Sequence, residues 1–182
     1  MNSNMVPLNE KLEKCIKELC KDRECLVEIY NLTKTSVYSF AISILKNAND
    51  AEDILQETYI RVYQNADKYE AKGKPLAWIL TITRNLAFMN LRNKKEEVDI
   101  LEISDILPDS TKYSSEDKIL INTLINFLTK EERQIISLHV ISGFKHREIS
   151  KILDIPISTC LSKYNRAIKK LRDKMKNEFQ YN

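Results

Sequence analysis

Asp50, Glu52, Asp53 and Glu57, with Gln56 among them, crowd one short stretch of the chain. Carboxylates so placed do one of three things: they move protons, hold a metal ion, or present an acidic surface to a basic partner. The stretch contains no His or Cys, and acids in a first helical turn also oppose the helix macrodipole. Glu52, Asp53 and Glu57 therefore have an enzymatic reading, an interface reading and a plain structural one. Downstream the chemistry changes sign, as Tyr69, Lys74, Trp78, Thr81, Arg84, Asn85 and Arg92 mix cations, an amide and aromatic rings. Such a mixture suits a surface that holds phosphates and pockets unpaired bases, although a lone Trp on a helix also reads as core. A third group comprises Ser158, Thr159, Ser162, Lys163, Arg166 and Lys169, with short hydroxyls leading and cations following, and His146 and Arg147 stand a short way before it. Hydroxyls near a helix start reach base edges, and Lys and Arg anchor phosphates.

The composition narrows the choice. With two glycines, Gly73 and Gly143, the chain has no dinucleotide fingerprint and no P-loop. Cys15, Cys20, Cys25 and Cys160 show no CxxC spacing, and His139 and His146 show no HExxH. The cysteines read as ordinary buried thiols, and neither metal nor cofactor is expected. The apolar runs around residues 40–45 and 77–82 are too short to span a bilayer, and no signal segment opens the chain, which points to a cytosolic protein without membrane insertion.

These residues need elements to position them, and the shortage of turn residues argues for an all-α fold. Leu8, Leu12, Cys15, Ile16 and Leu19 mark a first helix behind Asn9, a candidate cap. Ile29, Thr33, Val37, Phe40, Ala41, Ile44 and Leu45 mark a second, broken at residues 47–50. In the third helix, Ala51, Ile54, Leu55, Thr58 and Val62 form the inward stripe, and the acids, Ile60 and Tyr63 lie outside it. Pro75 opens a fourth helix running to about Asn93, with Trp78, Ile79, Ile82, Leu86 and Met89 on one apolar stripe and Leu80, Ala87 and Leu91 on another. Thr81, Asn85 and Arg92 occupy its polar strip, beside Phe88. Later, Ile119, Leu120, Leu124, Phe127 and Leu128 suggest a helix, and residues 129–132 a capping box. Gly143, a short helix from His146 to Leu153, a turn at residues 154–156 and a long helix from near Ser158 make a helix-turn-helix. The long helix buries Cys160, Tyr164, Ala167, Ile168, Leu171 and Met175, leaving Asn165 and Lys170 with the outward cations.

Charge divides the chain. Residues 1–95 carry 15 basic and 12 acidic side chains, residues 96–118 carry 2 and 8, and residues 119–182 carry 12 and 6. An acidic stretch with Pro108, Asp109, Ser110, Ser114 and Ser115 between two basic helical regions reads as a linker. The expected organisation is an N-terminal extension (1–25), a first helical domain (26–95), the linker (96–117) and a helix-turn-helix domain (118–182).

Taken in order, these motifs resemble the extracytoplasmic-function group of bacterial sigma factors. Asp50-Ala51-Glu52-Asp53 with Gln56-Glu57 is similar to that family's acidic region 2 signature, and Ala77-Trp78, Arg84-Asn85 and Leu91-Arg92 are similar to its promoter-melting segment. Leu128-Thr129, Arg133, Gly143, Glu148-Ile149, Ile155-Pro156 and Arg166-Ala167 resemble region 4. Asn90 and Leu161 depart from the family pattern, where Asp and Lys are usual. The resemblance implies that Asp50, Glu52, Asp53, Gln56, Glu57 and Ile60 dock on the clamp helices of core RNA polymerase, and that the helix-turn-helix domain sits near its flap. It implies further that the residue 69–92 group melts and captures the minus-ten promoter element, and that the residue 146–169 group reads the minus-thirty-five element. The linker's acidity would mimic nucleic acid near the RNA path, the plain alternative being a soluble tether, and an anti-sigma factor would be a further partner. Two other readings are a stand-alone helix-turn-helix regulator, which binds its operator without polymerase, and a carboxylate enzyme.

Overall fold

The computed structural model describes residues 7–97 and 127–179, and all of their regular structure is helical. The acidic linker and the apolar positions from Ile119 to Leu124 lie outside the described residues. Helix α1 spans Leu8–Glu18 and starts from Pro7, whose carbonyl accepts from the Lys11 N–H at 3.1 Å. The expected cap Asn9 is already inside the helix, because the ring of Pro7 presets the entry angle without a side-chain cap. Since α1 ends at Glu18, Cys20 falls in the following turn and is exposed, unlike buried Cys15, Cys25 and Cys160. The Cys15 Sγ donates to Glu28 Oε2 at 3.0 Å, and burial foremost pushes its pKa up to about 12, so it remains a protonated, unreactive thiol.

Helix α2 (Glu24–Leu45) stops where Lys46 turns left-handed at φ 58° and returns its N–H to the Ile42 carbonyl at 3.0 Å. Asn47 then accepts from the Asp50 N–H and starts α3 (Ala48–Gln64), so residues 48–50 belong to the helix rather than to the break. A 3-10 turn at Ala66–Lys68 leads into α4 (Pro75–Glu97), which continues past Asn93. In the second half, α5 (Lys130–Ile136) opens on the expected capping box, as Thr129 accepts from the Glu132 N–H at 3.4 Å and Glu132 Oε2 accepts from the Thr129 N–H at 2.9 Å. A π-helical turn (Ser137–Ile141) and Gly143 at φ 73° follow, then α6 (His146–Leu153), Asp154 at φ 55° and α7 (Ile157–Phe179). Gly143 supplies the left-handed turn that an L side chain adopts only at a cost.

Helix α2 is the centre of the molecule. The side carrying Ile29, Val37, Phe40, Ala41 and Ile44 packs among α1, α3 and α4, as its period implies. Its other side, carrying Ser36, Ser39 and Ser43, is also buried, under α5 and the π turn. Small side chains let the two backbones approach, and Ser137 Oγ reaches Ser39 Oγ at 3.1 Å. Arg133, only 2% exposed, donates from Nε to the Ser43 carbonyl at 3.1 Å and from a terminal nitrogen to the Leu128 carbonyl at 2.7 Å. Ser43 offers one of the last four carbonyls of α2, which have no helical N–H to meet, so the second half caps a helix of the first. At the edge of this contact Lys74 Nζ lies 3.2 Å from Glu148 Oε1, and Lys130 Nζ sits 4.5 Å from the centre of the Phe88 ring. One apolar core runs from Leu12 through Phe40 to Ile149 and Cys160, and a smaller one gathers Leu128, Ile136 and Ala167. Among the described residues, no helix is long and apolar enough to cross a membrane.

Candidate nucleic-acid interface

The acidic face of α3 forms as its spacing implies, with Ala51, Ile54, Leu55, Thr58 and Val62 buried and Ile60 49% and Tyr63 41% exposed. Asp53 and Gln56 are exposed, and Glu52 and Glu57 are half-buried. Two of the acids have internal partners. Lys94 Nζ lies 2.7 Å from Asp50 Oδ1, tying the start of α3 to the end of α4, and Arg61 Nε lies 2.8 Å from Glu57 Oε1 one turn along the same helix. Asp53, Gln56 and Ile60 are thus the clearest outward-facing members of the set.

On α4, Thr81, Asn85 and Arg92 are exposed on one strip, and Thr81 Oγ1 donates back to the Ala77 carbonyl at 2.8 Å. Trp78 is half-buried, its ring 4.9 Å from that of Tyr69, so it takes part in packing and surface at once. Met89, expected on the buried stripe, is 44% exposed. Trp78 and Asn85 line an open recess of about 360 Å³ together with Ile82, Leu86, Arg61, Asn65 and Lys68. The last three come from the end of α3 and the turn after it, and sequence spacing missed them because only the antiparallel packing of α3 on α4 brings them alongside. The recess has an apolar floor, an aromatic wall and amide and cationic rims, the furnishing an unstacked base requires. Arg84 lies elsewhere, its guanidinium carbon 5.0 Å from the Phe88 ring centre on the flank that faces the second half. Lys74 is engaged by Glu148, as described above.

In the helix-turn-helix, Cys160 and Ala167 are buried and Tyr164, Ile168 and Leu171 half-buried, whereas Ser158, Ser162, Asn165, Arg166 and Lys169 are exposed. Thr159 and Lys163 sit half-buried at the edge of that face, and Arg147 is exposed on α6. Lys170, counted among the outward cations, reaches Glu132 Oε2 at 2.7 Å. Burial raises the Glu132 carboxyl, but this bond and the capping bonds prevail and hold its pKa below the usual carboxylate value. His146 is turned inward. Its ring centre lies 4.4 Å from that of His139 and 4.7 Å from that of Tyr164, and its Nε2 has no hydrogen-bond partner among the described residues. It helps to pack the two helices of the motif, because α6 begins directly over the Tyr164 turn.

Burial, and secondarily neighbouring His139, lowers the His146 pKa from 6.5. The unfolded chain therefore binds the proton more readily, and stability is greatest above about pH 6.5 and falls as the pH drops through the lowered folded value. The other groups facing this ring are the Tyr164 hydroxyphenyl and His139, whose Nδ1 bonds the Phe144 carbonyl at 2.8 Å. Thermal melts between pH 7.5 and 5 are expected to show this loss, and His146→Gln to reduce its slope. An unchanged slope in the variant would assign the acid sensitivity to other groups.

An acidic helix face, an open recess with an aromatic wall and a basic helix-turn-helix lie together on one helical chain, the combination carried by DNA-binding transcription factors. Sigma-70 region 2 matches residues 29–97, and Sigma-70, region 4 matches residues 118–171, together about two-thirds of the chain. The chain is 28% identical to the ECF RNA polymerase sigma factor SigW of Bacillus subtilis (strain 168), over 91% of this chain and 97% of the relative. It is 29% identical to the ECF RNA polymerase sigma factor SigK of Mycobacterium ulcerans (strain Agy99), over 91% and 94%. Among solved structures, the sigma factor RpoE of Bartonella quintana, in complex with the anti-sigma factor NepR, superposes with a TM-score of 0.68 at 26% identity, covering 82% of this chain and 95% of that one. CnrH, in complex with the cytosolic domain of CnrY, shares the fold with a TM-score of 0.62 at 16% identity. The chain belongs to the extracytoplasmic-function group of the sigma-70 family and is a transcription initiation factor.

Proposed function

We propose that this chain binds core RNA polymerase through the α3 face of Asp53, Gln56 and Ile60, opens the minus-ten element at the Trp78–Asn85 recess, and reads the minus-thirty-five element with the outer face of α7. The observation that carries the reading is the recess, because Asn85 and Trp78, seven residues apart, meet Arg61, Asn65 and Lys68 around one open space of about 360 Å³, which has room for a base. Arg92 extends the cationic strip along α4. Residues 26–95 and 118–182 are the two working domains, the segment between them is their tether, and the polymerase supplies the chemistry in the cytoplasm, where its promoters are. An anti-sigma factor is a further partner, supported by the likeness to a sigma factor solved with NepR bound.

Run-off transcription from genomic fragments, with core polymerase and with or without this chain, tests the whole reading. New start sites are expected only when both are present. Tight, specific DNA binding by the chain alone would instead favour the stand-alone regulator. The docking face has its own test: Asp53→Lys with Glu57→Lys is expected to weaken core-polymerase binding about tenfold at low salt, with helical content unchanged, since charges at an interface rim act on encounter and salt dependence. Unchanged affinity would leave these carboxylates to the helix dipole and the Arg61 pair.

A further inference from the structure

Two apolar side chains on α7 have no role in the packing described so far. Ile157 is 41% and Leu161 42% exposed, one turn apart at the start of the helix, and neither belongs to the apolar core. At 100° per residue they begin one row, Ile157–Leu161–Asn165–Lys169, beside a second row, Ser158–Ser162–Arg166. The buried line of Cys160, Tyr164 and Ala167 borders the first row on the side away from Ser158, so Ile157 and Leu161 stand at the edge where the buried face gives way to the exposed one. Their row therefore runs from apolar groups through an amide to a cation, in the part of a recognition helix that enters the major groove first.

The floor of the major groove carries one apolar group, the C5-methyl of thymine, and apolar side chains discriminate it by contact. Serine hydroxyls bond several bases and Arg166 prefers guanine, so neither of them selects a methyl. We propose that Leu161, with Ile157 beside it, reads a thymine methyl in the minus-thirty-five element, making an A·T pair a specificity determinant of this chain. The proposal rests on the reading that α7 faces DNA. A docking site for protein is the competing use of the same pair, but the row's continuation into Asn165 and Lys169, suited to a base edge and a phosphate, favours DNA.

The test uses holoenzyme assembled from core polymerase and the full chain, on a minus-thirty-five element selected by that holoenzyme from randomised DNA. Each thymine of the element, on either strand, is replaced in turn by deoxyuridine, which lacks only the methyl. At one or two adjacent positions the replacement is expected to weaken wild-type binding about three- to fivefold, the effect of burying one methyl group. Leu161→Ala holoenzyme should bind the thymine and uracil forms alike there. Arg166→Ala and Lys169→Ala serve as controls: the latter should weaken binding to all promoters and lower the salt slope by about one. If these controls weaken binding but uracil costs nothing at any position, the methyl reading is overturned while α7 keeps its role. If neither control changes affinity or salt slope, the assignment of α7 to DNA fails first. Loss of core-polymerase affinity in Leu161→Ala, with no uracil effect in wild type, would give the pair to a protein contact and also overturn the proposal.

Discussion

Arg133→Ala is expected to separate the two halves of the molecule. Its guanidinium is buried against the end of α2, and it satisfies the Ser43 carbonyl of the first half and the Leu128 carbonyl of the second. Burial lowers its pKa, yet a guanidinium remains cationic, so both are charge-assisted bonds in a water-poor contact. Truncation leaves two carbonyls without a donor and a void where the side chain lay, a loss of about 3–5 kcal/mol. That is comparable to the whole stability of a small contact between domains. Melting should then split into two transitions, and small-angle scattering should report a larger radius of gyration. Arg133→Lys should rescue only partly, because one ammonium cannot bridge two carbonyls in the fixed geometry of a fork. A single transition within about 0.5 kcal/mol of wild type would show instead that the apolar contact alone joins the halves.

Asn85→Ala is expected to impair strand opening without impairing folding or polymerase binding. The side chain is exposed on α4 at the rim of the recess and supports no core contact. An amide that pairs with a captured base contributes about 1–3 kcal/mol, so open-complex formation should fall roughly 5- to 150-fold. Permanganate footprints of the minus-ten region give the readout, with core-polymerase affinity measured alongside. Trp78→Ala is the contrasting case: because the ring packs on Tyr69 as well as walling the recess, it should lower stability and opening together. Equal thymine reactivity in Asn85→Ala and wild type would remove this residue from the site.

The elements that are amphipathic with one polar face were legible from residue types alone. The acidic outer face of α3, the Thr129–Glu132 capping box and the helix-turn-helix from Gly143 into α7 depend on contacts within three or four residues, which periodicity and capping chemistry report directly. The Asn9 cap failed for a local reason, because Pro7 set the helix entry first. The other differences are tertiary. Ser36, Ser39 and Ser43 have the composition of a solvated strip, and burial under α5 and the π turn depends on residues about ninety positions away. Cations expected to face a partner were partly consumed by remote acids, Lys170 by Glu132 and Lys74 by Glu148, and Lys94 at the end of α4 pairs with Asp50. The recess at Asn85 likewise needed Arg61, Asn65 and Lys68 from another helix and its following turn. The sequence by itself determined which face of each helix is apolar, since that follows from side-chain type and the 3.6-residue period. Which polar faces meet, and which charges remain available to a partner, was decided by packing, because hydrogen bonds and ion pairs act over a few ångströms of space regardless of separation along the chain.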